Sequence, residues 1–202
     1  MKIKICGLRR PEDIDAANAL RPDYIGFIFA EKSKRRVTPE AALRLRQRLD
    51  PDIRAVGVFV NAPVARIAEI ARSGAIDLVQ LHGGEDAAYL AALRREIACP
   101  VIKAFVIRTA EDARAAEAFP ADHILLDSGA GSGQTFDWSV LRGVRRPYFL
   151  AGGLTPENVG AAIRQLRPYG VDVSSGVDTE GYKDPDKMAR FLRACRETEE
   201  QP

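Results

Sequence analysis

The sequence predicts one α/β domain in which eight strand–helix units form a closed (β/α)8 barrel, the TIM-barrel class of fold. Short apolar runs alternate with amphipathic segments along the 202 residues, with about 25 residues per unit. Two turns rich in glycine and serine, suited to a phosphate, follow the last two strands. A doubly wound open sheet, the competing architecture, normally has its phosphate turn after the first strand. The barrel is therefore favoured.

The first half of the chain contains four of the predicted units. Strands are predicted at residues 2–6, 24–29, 54–60 and 77–81, where apolar or alternating residues lie between turn signals. Helices are predicted at residues 11–20, from Thr38, from about Pro63 to Gly74, and at about 85–95. Thr38 precedes a proline and an acid, a pattern typical of a helix N-terminus, and Gly74 is typical of a helix end.

The second half contains the other four units. Strands are predicted at residues 100–106, 123–127, 148–150 and 171–173. Thr109 is expected to cap a helix, and a short helical segment is expected at about 138–141. Thr155 is expected to cap the next helix, with Pro156 in its first turn. The last helix is predicted to start at residues 184–186 and to leave a C-terminal tail at about 197–202.

The composition is that of an ordinary globular protein, with 46% hydrophobic and 29% charged residues and a formal net charge of +2. The near balance of charge argues against nucleic acid as a partner, and we expect no membrane-spanning or signal segment. The three cysteines, Cys6, Cys99 and Cys195, are far apart and have no metal-ligand spacing. We therefore expect no metal site and a cytoplasmic location.

Polar residues that directly follow barrel strands gather at one face, where barrel enzymes have their active sites. Cys6 ends the first strand and Asp127 ends the sixth. Cys6 is either a small buried hydrophobe or a base that needs nearby cations to favour its thiolate. Asp127 is either a cap for the following loop or a titrating group. The spacing alone leaves both alternatives open.

Three further residues are candidates for substrate binding. His82 follows the fourth strand and either binds substrate or supports its loop, and Asp172 lies inside the last strand, where an internal salt bridge is an equal alternative. Arg35, in the basic loop after the second strand, has a planar guanidinium suited to a carboxylate. The phosphate would bind at the two turns, through these residues: Gly152, Gly153, Ser174, Ser175 and Gly176.

Eight motifs in chain order resemble those of the phosphoribosylanthranilate isomerase family. They are KICGL, GFIF with SKRRV, GVFVN, QLHG, LLD, GSGQTFDW, AGGLTPENV and DVSSGVD, and they extend from the first strand to the last. The resemblance therefore covers nearly the whole chain. It departs from the family pattern at Arg36, where an aromatic residue is common, at Asp178, which replaces glutamate, and in a shorter loop between Asp127 and Gly131.

The resemblance implies a cofactor-free barrel enzyme of tryptophan biosynthesis that catalyses an Amadori rearrangement of a phosphorylated substrate. It implies that Asp127 is the general acid and Cys6 the general base. Arg35 matches the arginine that holds the anthranilate carboxylate, although Arg36 is adjacent, and the two turns match the phosphate site. The protein is expected to be a monomer or homodimer.

Other functions stay open at this point. The histidine-pathway isomerase carries out the same rearrangement on a substrate with two phosphates, and an enzyme that accepts both substrates is a further alternative. A non-catalytic barrel that binds a sugar phosphate would retain the glycine turns without needing both a thiol and a carboxylate. A structural subunit of a pathway complex is the last alternative, although a free-standing domain is favoured.

Overall fold

Eight parallel strands close into a barrel in the computed structural model of the chain, which describes residues 1–129, 138–141 and 143–200. The strands are β1 Lys2–Cys6, β2 Tyr24–Ile28, β3 Arg54–Phe59, β4 Leu78–Leu81, β5 Val101–Val106, β6 His123–Asp127, β7 Tyr148–Ala151 and β8 Gly170–Val173. Each strand pairs with the next, and β1 pairs with β8 to close the sheet. The predicted barrel is confirmed, and the open-sheet alternative is wrong.

Seven α-helices and two short 3-10 helices are seen in the described residues. The α-helices are α1 Pro11–Leu20, α2 Pro39–Arg48, α3 Val64–Arg72, α4 Ala87–Glu96, α5 Ala110–Ala118, α6 Val159–Leu166 and α7 Pro185–Glu200. The 3-10 helices are Trp138–Leu141, as predicted, and Ser175–Val177. Thr38 caps α2 and Thr109 caps α5 through their side-chain oxygens, which confirms both predicted caps.

Three details differ from the sequence predictions. The helix α6 begins at Val159, four residues after Thr155, because a turn closed by the Asn158 side chain precedes it. Thr155 caps this turn: its Oγ1 accepts from Glu157 N at 3.2 Å, and its carbonyl oxygen accepts from Val159 N at 3.1 Å. The last helix continues to Glu200, so the expected tail is helical over residues 197–200. A small antiparallel hairpin follows β8 and was not predicted: it comprises β9 Asp178–Thr179 and β10 Tyr182–Lys183.

The apolar core has two parts, because successive side chains of a strand point to opposite faces of the sheet. One part lies between the barrel and its helices. The other lies inside the barrel and consists of Tyr24, Val56, Leu78, Ile102, Ala104, Leu125, Phe149 and Ala151. Buried polar side chains, including Lys4, Gln80, Lys103 and Asp172, are also found on the strands. No helix among the described residues is long and apolar enough to cross a membrane.

Candidate active site

A cavity of about 250 Å³ lies at the C-terminal ends of the barrel strands. It is lined by every predicted site residue except Arg35, namely Cys6, His82, Asp127, Gly152, Gly153, Asp172, Ser174, Ser175 and Gly176. The sequence thus predicted a set of residues that the fold brings together from five strands and the turns that follow them. Most of the GSGQTFDW motif, residues 131–137, lies outside the described residues, as does Ala130 in the loop before it.

Cys6 is held at the end of β1 by contacts with both neighbouring strands. Gly26 on β2 makes room for its side chain, because a Cβ atom at Gly26 would lie 2.7 Å from the sulfur. On the other side, the Ser174 hydroxyl donates to the carbonyl oxygen of Cys6 at 3.1 Å. Burial raises the pKa of the Cys6 thiol above its ordinary value, against the opposing effect of the Lys4 ammonium.

Asp127 lies at the end of β6, with its two carboxylate oxygens in different environments. Oδ1 accepts a hydrogen bond from Gly129 N at 2.8 Å, and Oδ2 lies 3.6 Å from Nε2 of His82. Burial favours the neutral form of the Asp127 carboxyl group and so acts to raise its pKa. The contact with His82 and the hydrogen bond from Gly129 N act in the opposite direction and have the larger combined effect. The pKa of Asp127 therefore lies below its ordinary value. At 3.6 Å the imidazole contact is longer than an ordinary hydrogen bond.

Gln80 fixes the orientation of the His82 ring. Its Nε2 atom lies 2.9 Å from Nδ1 of His82. This contact turns Nε2 of the ring toward Asp127. Gln80 Oε1 is buried and has no hydrogen-bond partner among the described residues. Gln80, His82 and Asp127 therefore form a polar array along one side of the cavity.

The two turns predicted to bind phosphate lie side by side at the cavity rim. Gly152 and Gly153 have φ angles of 91° and 65°, a region that side chains other than glycine rarely adopt. A Cβ atom at Gly176 would lie 1.9 Å from the carbonyl oxygen of Leu154, so the two turns pack backbone to backbone. The absence of side chains at these positions leaves the rim open to a compact anion.

Asp172 lines the cavity and also forms an internal salt bridge, the alternative that the sequence left open. Both of its oxygens accept from Nζ of Lys4 at 2.9 Å. Lys4 is fully buried and Asp172 is 8% exposed. A direct role of Asp172 in binding substrate stays a prediction.

Arg35 does not line the cavity. Its Nε and Nη2 atoms donate to Oδ2 of Asp178 at 2.8 and 2.5 Å, and Lys183 Nζ donates to the other oxygen of Asp178 at 2.5 Å. Arg36 instead lines a separate cavity of about 530 Å³ between the loops that follow β2 and β3. Binding of a carboxylate by Arg35 stays a prediction.

Four residues of this site region were not identified from the sequence: Lys4, Gln80, Lys183, and Asp178 as the partner of Arg35. Lys4 and Gln80 lie two residues before Cys6 and His82 on the same strands. A period of two places each pair on one face of its strand, so this spacing was an available signal. Among the described residues, no cluster of three or more His, Cys, Asp or Glu side chains has the arrangement of a metal site.

Comparison with known proteins identifies the family. The sequence model described as N-(5'phosphoribosyl)anthranilate (PRA) isomerase matches residues 3–194. The chain belongs to this isomerase family. The match confirms the resemblance that the eight motifs predict, and it extends from β1 into α7.

Individual relatives match this chain over nearly their full length and agree with its assignment to the isomerase family. N-(5'-phosphoribosyl)anthranilate isomerase of Endomicrobium trichonymphae is 44% identical over 200 residues, which cover 96% of this chain and 98% of the relative. The crystal structure of the isomerase from Thermotoga maritima matches with a TM-score of 0.89 at 38% identity and covers 98% of this chain and 99% of its own. Another isomerase structure, with a TM-score of 0.87 at 37% identity and the same coverage, contains reduced 1-(o-carboxyphenylamino)-1-deoxyribulose 5-phosphate.

We predict that His82→Ala raises the pKa of Asp127, because it removes the contact that opposes burial at this carboxyl group. The measurement is a ¹³C NMR titration of the aspartate carboxyl groups in both proteins. Asp184 serves as an internal control, since its pKa is lowered by the remote Thr179 hydroxyl and should not change. An unchanged or lower pKa of Asp127 in the variant would contradict the assignment of His82 as its partner.

Proposed function

We propose that this chain catalyses the Amadori rearrangement of N-(5-phosphoribosyl)anthranilate to 1-(2-carboxyphenylamino)-1-deoxyribulose 5-phosphate in tryptophan biosynthesis. The observation that carries the proposal is the presence of Cys6 and Asp127 in one cavity, which is also lined by two turns suited to phosphate. Membership of the isomerase family supports the choice of substrate. The reaction transfers protons within one molecule, so it calls for an acid and a base and for no cofactor.

In the first step, Asp127 acts as the general acid. The carboxylic acid donates its proton to the ring oxygen of the ribose while the bond between C1 and that oxygen breaks. The lone pair of the anthranilate nitrogen forms the C1–N double bond, which gives an open-chain Schiff base. The position of Asp127 at the end of β6, with one oxygen facing His82, supports this role.

In the second step, Cys6 acts as the general base. Its thiolate removes the proton from C2, which the adjacent cationic Schiff base has made more acidic. The resulting enolamine tautomerises to the ketone product. One proton leaves Asp127 and one arrives at Cys6, so a single proton exchange restores the starting site.

The resting protonation states are the opposite of those that the reaction needs. Burial raises the pKa of Cys6, whereas the contacts of Asp127 with His82 and Gly129 outweigh burial and lower its pKa. The thiol and the carboxylate therefore predominate at neutral pH. Turnover then proceeds through a minor form of the site, in which Cys6 is a thiolate and Asp127 carries the proton. Any group that stabilises the thiolate raises the population of this form.

The turns after β7 and β8 would bind the phosphate of the substrate. Gly153 and residues 174–176 line the cavity, and their backbone N–H groups are the donors that we expect to bind the phosphate. The phosphate would anchor one end of the sugar, while Cys6 and Asp127 reach the reacting atoms from opposite sides of the barrel. We also propose a cytoplasmic location and a monomer or homodimer. A dimer is known for the Thermotoga maritima relative, of which monomeric forms were made.

We expect Cys6→Ala and Asp127→Asn each to reduce kcat by a factor of about 10² to 10⁴, the usual contribution of a positioned acid or base, and to leave substrate affinity nearly unchanged. The assay follows the loss of fluorescence of phosphoribosylanthranilate generated in place. Cys99→Ala is the matched control, because this half-buried cysteine lies far from the cavity.

A near-normal kcat in either variant would exclude the role assigned to that residue. If the unaltered protein fails to turn over this substrate, the histidine-pathway substrate with two phosphates is the next to test. If neither reacts, a non-catalytic barrel that binds sugar phosphates becomes the better description.

We expect Arg35→Ala to raise KM about tenfold or more with little change in kcat, because it removes a charge-assisted contact with the anthranilate carboxylate. The Nη1 group of Arg35 takes no part in its ion pair with Asp178, so a carboxylate can approach from that side. Arg36→Ala is the matched comparison and should leave KM unchanged. If only the Arg36 variant shows the increase, the carboxylate binds at Arg36 instead.

A further inference from the structure

Lys4 is a fully buried lysine in the middle of β1, and neither step of the proposed reaction uses it. Its side chain is 0% exposed. Lys4 and Cys6 are two residues apart on one strand, so their side chains point to the same face. An ammonium group in such a position is costly unless it is paired, so its surroundings should explain why it is there.

The partner of Lys4 is Asp172 on β8, the residue directly opposite it in the register of the two strands. Both carboxylate oxygens lie 2.9 Å from Nζ. A buried ion pair of this kind is weak evidence for stability, because apolar residues of similar size are often at least as stabilising. The location of the pair beside a thiol at the catalytic end of the barrel suggests a functional role.

Three charged groups act on Cys6. The Lys4 ammonium favours its thiolate by charge and by hydrogen bonding, Asp172 disfavours it, and the Lys183 ammonium favours it by charge alone. Lys183 is already bound to Ser174 O at 2.9 Å and to Asp178 Oδ1 at 2.5 Å. Lys4 is therefore the cation placed to respond to a negative charge on the sulfur.

We propose that Lys4 is a positioning residue for Cys6, whose ammonium is shared between the Asp172 carboxylate and the sulfur and thereby stabilises the thiolate. Lys4 itself transfers no proton. When Cys6 takes up the C2 proton and becomes neutral, the ammonium is balanced by Asp172 alone, whereas beside the thiolate it faces two negative charges. The inference rests on the proposed role of Cys6 as the base.

The test is the pH dependence of alkylation of Cys6 by iodoacetamide, followed by peptide mass spectrometry without any substrate. The variant is Lys4→Met combined with Asp172→Asn, which removes both charges and leaves no carboxylate unpaired in the barrel. We expect the reactive midpoint to move to higher pH and the rate at neutral pH to fall, because only the thiolate reacts. The loss of Lys4, which acts on the thiolate by charge and by hydrogen bonding, outweighs the loss of Asp172, which opposes it by charge alone.

The matched control is Lys103→Met combined with Glu85→Gln. This is another buried lysine–carboxylate pair, with an Nζ–Oε2 distance of 2.9 Å, and neither residue is among the charged groups that act on Cys6. The control should leave the Cys6 titration unchanged. Cys99 in each sample serves as an internal standard for reagent concentration.

An unchanged Cys6 titration in the folded Lys4/Asp172 variant would overturn the inference. If that variant does not fold, ¹⁵N NMR of the Lys4 ammonium in the unaltered protein decides. The ¹⁵N signal of Lys4 should shift at the pH at which Cys6 ionises. A signal that does not change at that pH would refute the contact between Lys4 and Cys6. The alkylation test does not require turnover. If the protein has no isomerase activity but Cys6 titrates as expected in the protein and its variants, that result counts against the proposed function and not against the role of Lys4.

Discussion

The pairing of β1 with β8 is the constraint on which the candidate site depends. It closes the barrel and brings Cys6 beside Ser174, which is 168 residues away in the chain. The proposed base and one half of the proposed phosphate site thus come from opposite ends of the sequence. The same register sets Lys4 directly opposite Asp172. An open sheet built from the same strands would leave β1 and β8 as separate edges, so Cys6 would lose its contact with Ser174 and Lys4 would lose its counter-ion.

Buried charge distinguishes the catalytic end of this barrel from its apolar interior. The pair Lys4–Asp172 lies beside the thiol, and Lys103 with Glu85 ties β5 to the loop that follows β4. Such pairs add little net stability, because desolvation of the two charges offsets their attraction. The proposed value of the Lys4–Asp172 pair lies in its effect on the neighbouring thiol, since a base that must ionise in a buried site needs a cation nearby. At the other reacting group, the contact with His82 helps to hold the pKa of Asp127 below its ordinary value.

The sequence alone predicted most of the barrel, because buried parallel strands form short apolar runs and helix caps have local signatures such as Thr38 and Thr109. The start of α6 lies later than predicted, because a turn capped by Thr155 and closed by the Asn158 side chain precedes the helix, and this geometry has no distinct sequence signal. The residues at strand ends were found because fold class fixes where they gather. Partners such as Lys4 for Asp172 depend on strand register, which residue types do not reveal.

The central claim is that Cys6 and Asp127 act on the two ends of one sugar held by its phosphate. The most direct measurement is a crystal structure of this protein with reduced 1-(o-carboxyphenylamino)-1-deoxyribulose 5-phosphate. The account predicts phosphate at the turns that contain Gly153 and Gly176, the sulfur of Cys6 next to C2, and Asp127 next to the oxygen that closes the ribose ring. Phosphate bound elsewhere, or both side chains on the same side of the sugar, would contradict it.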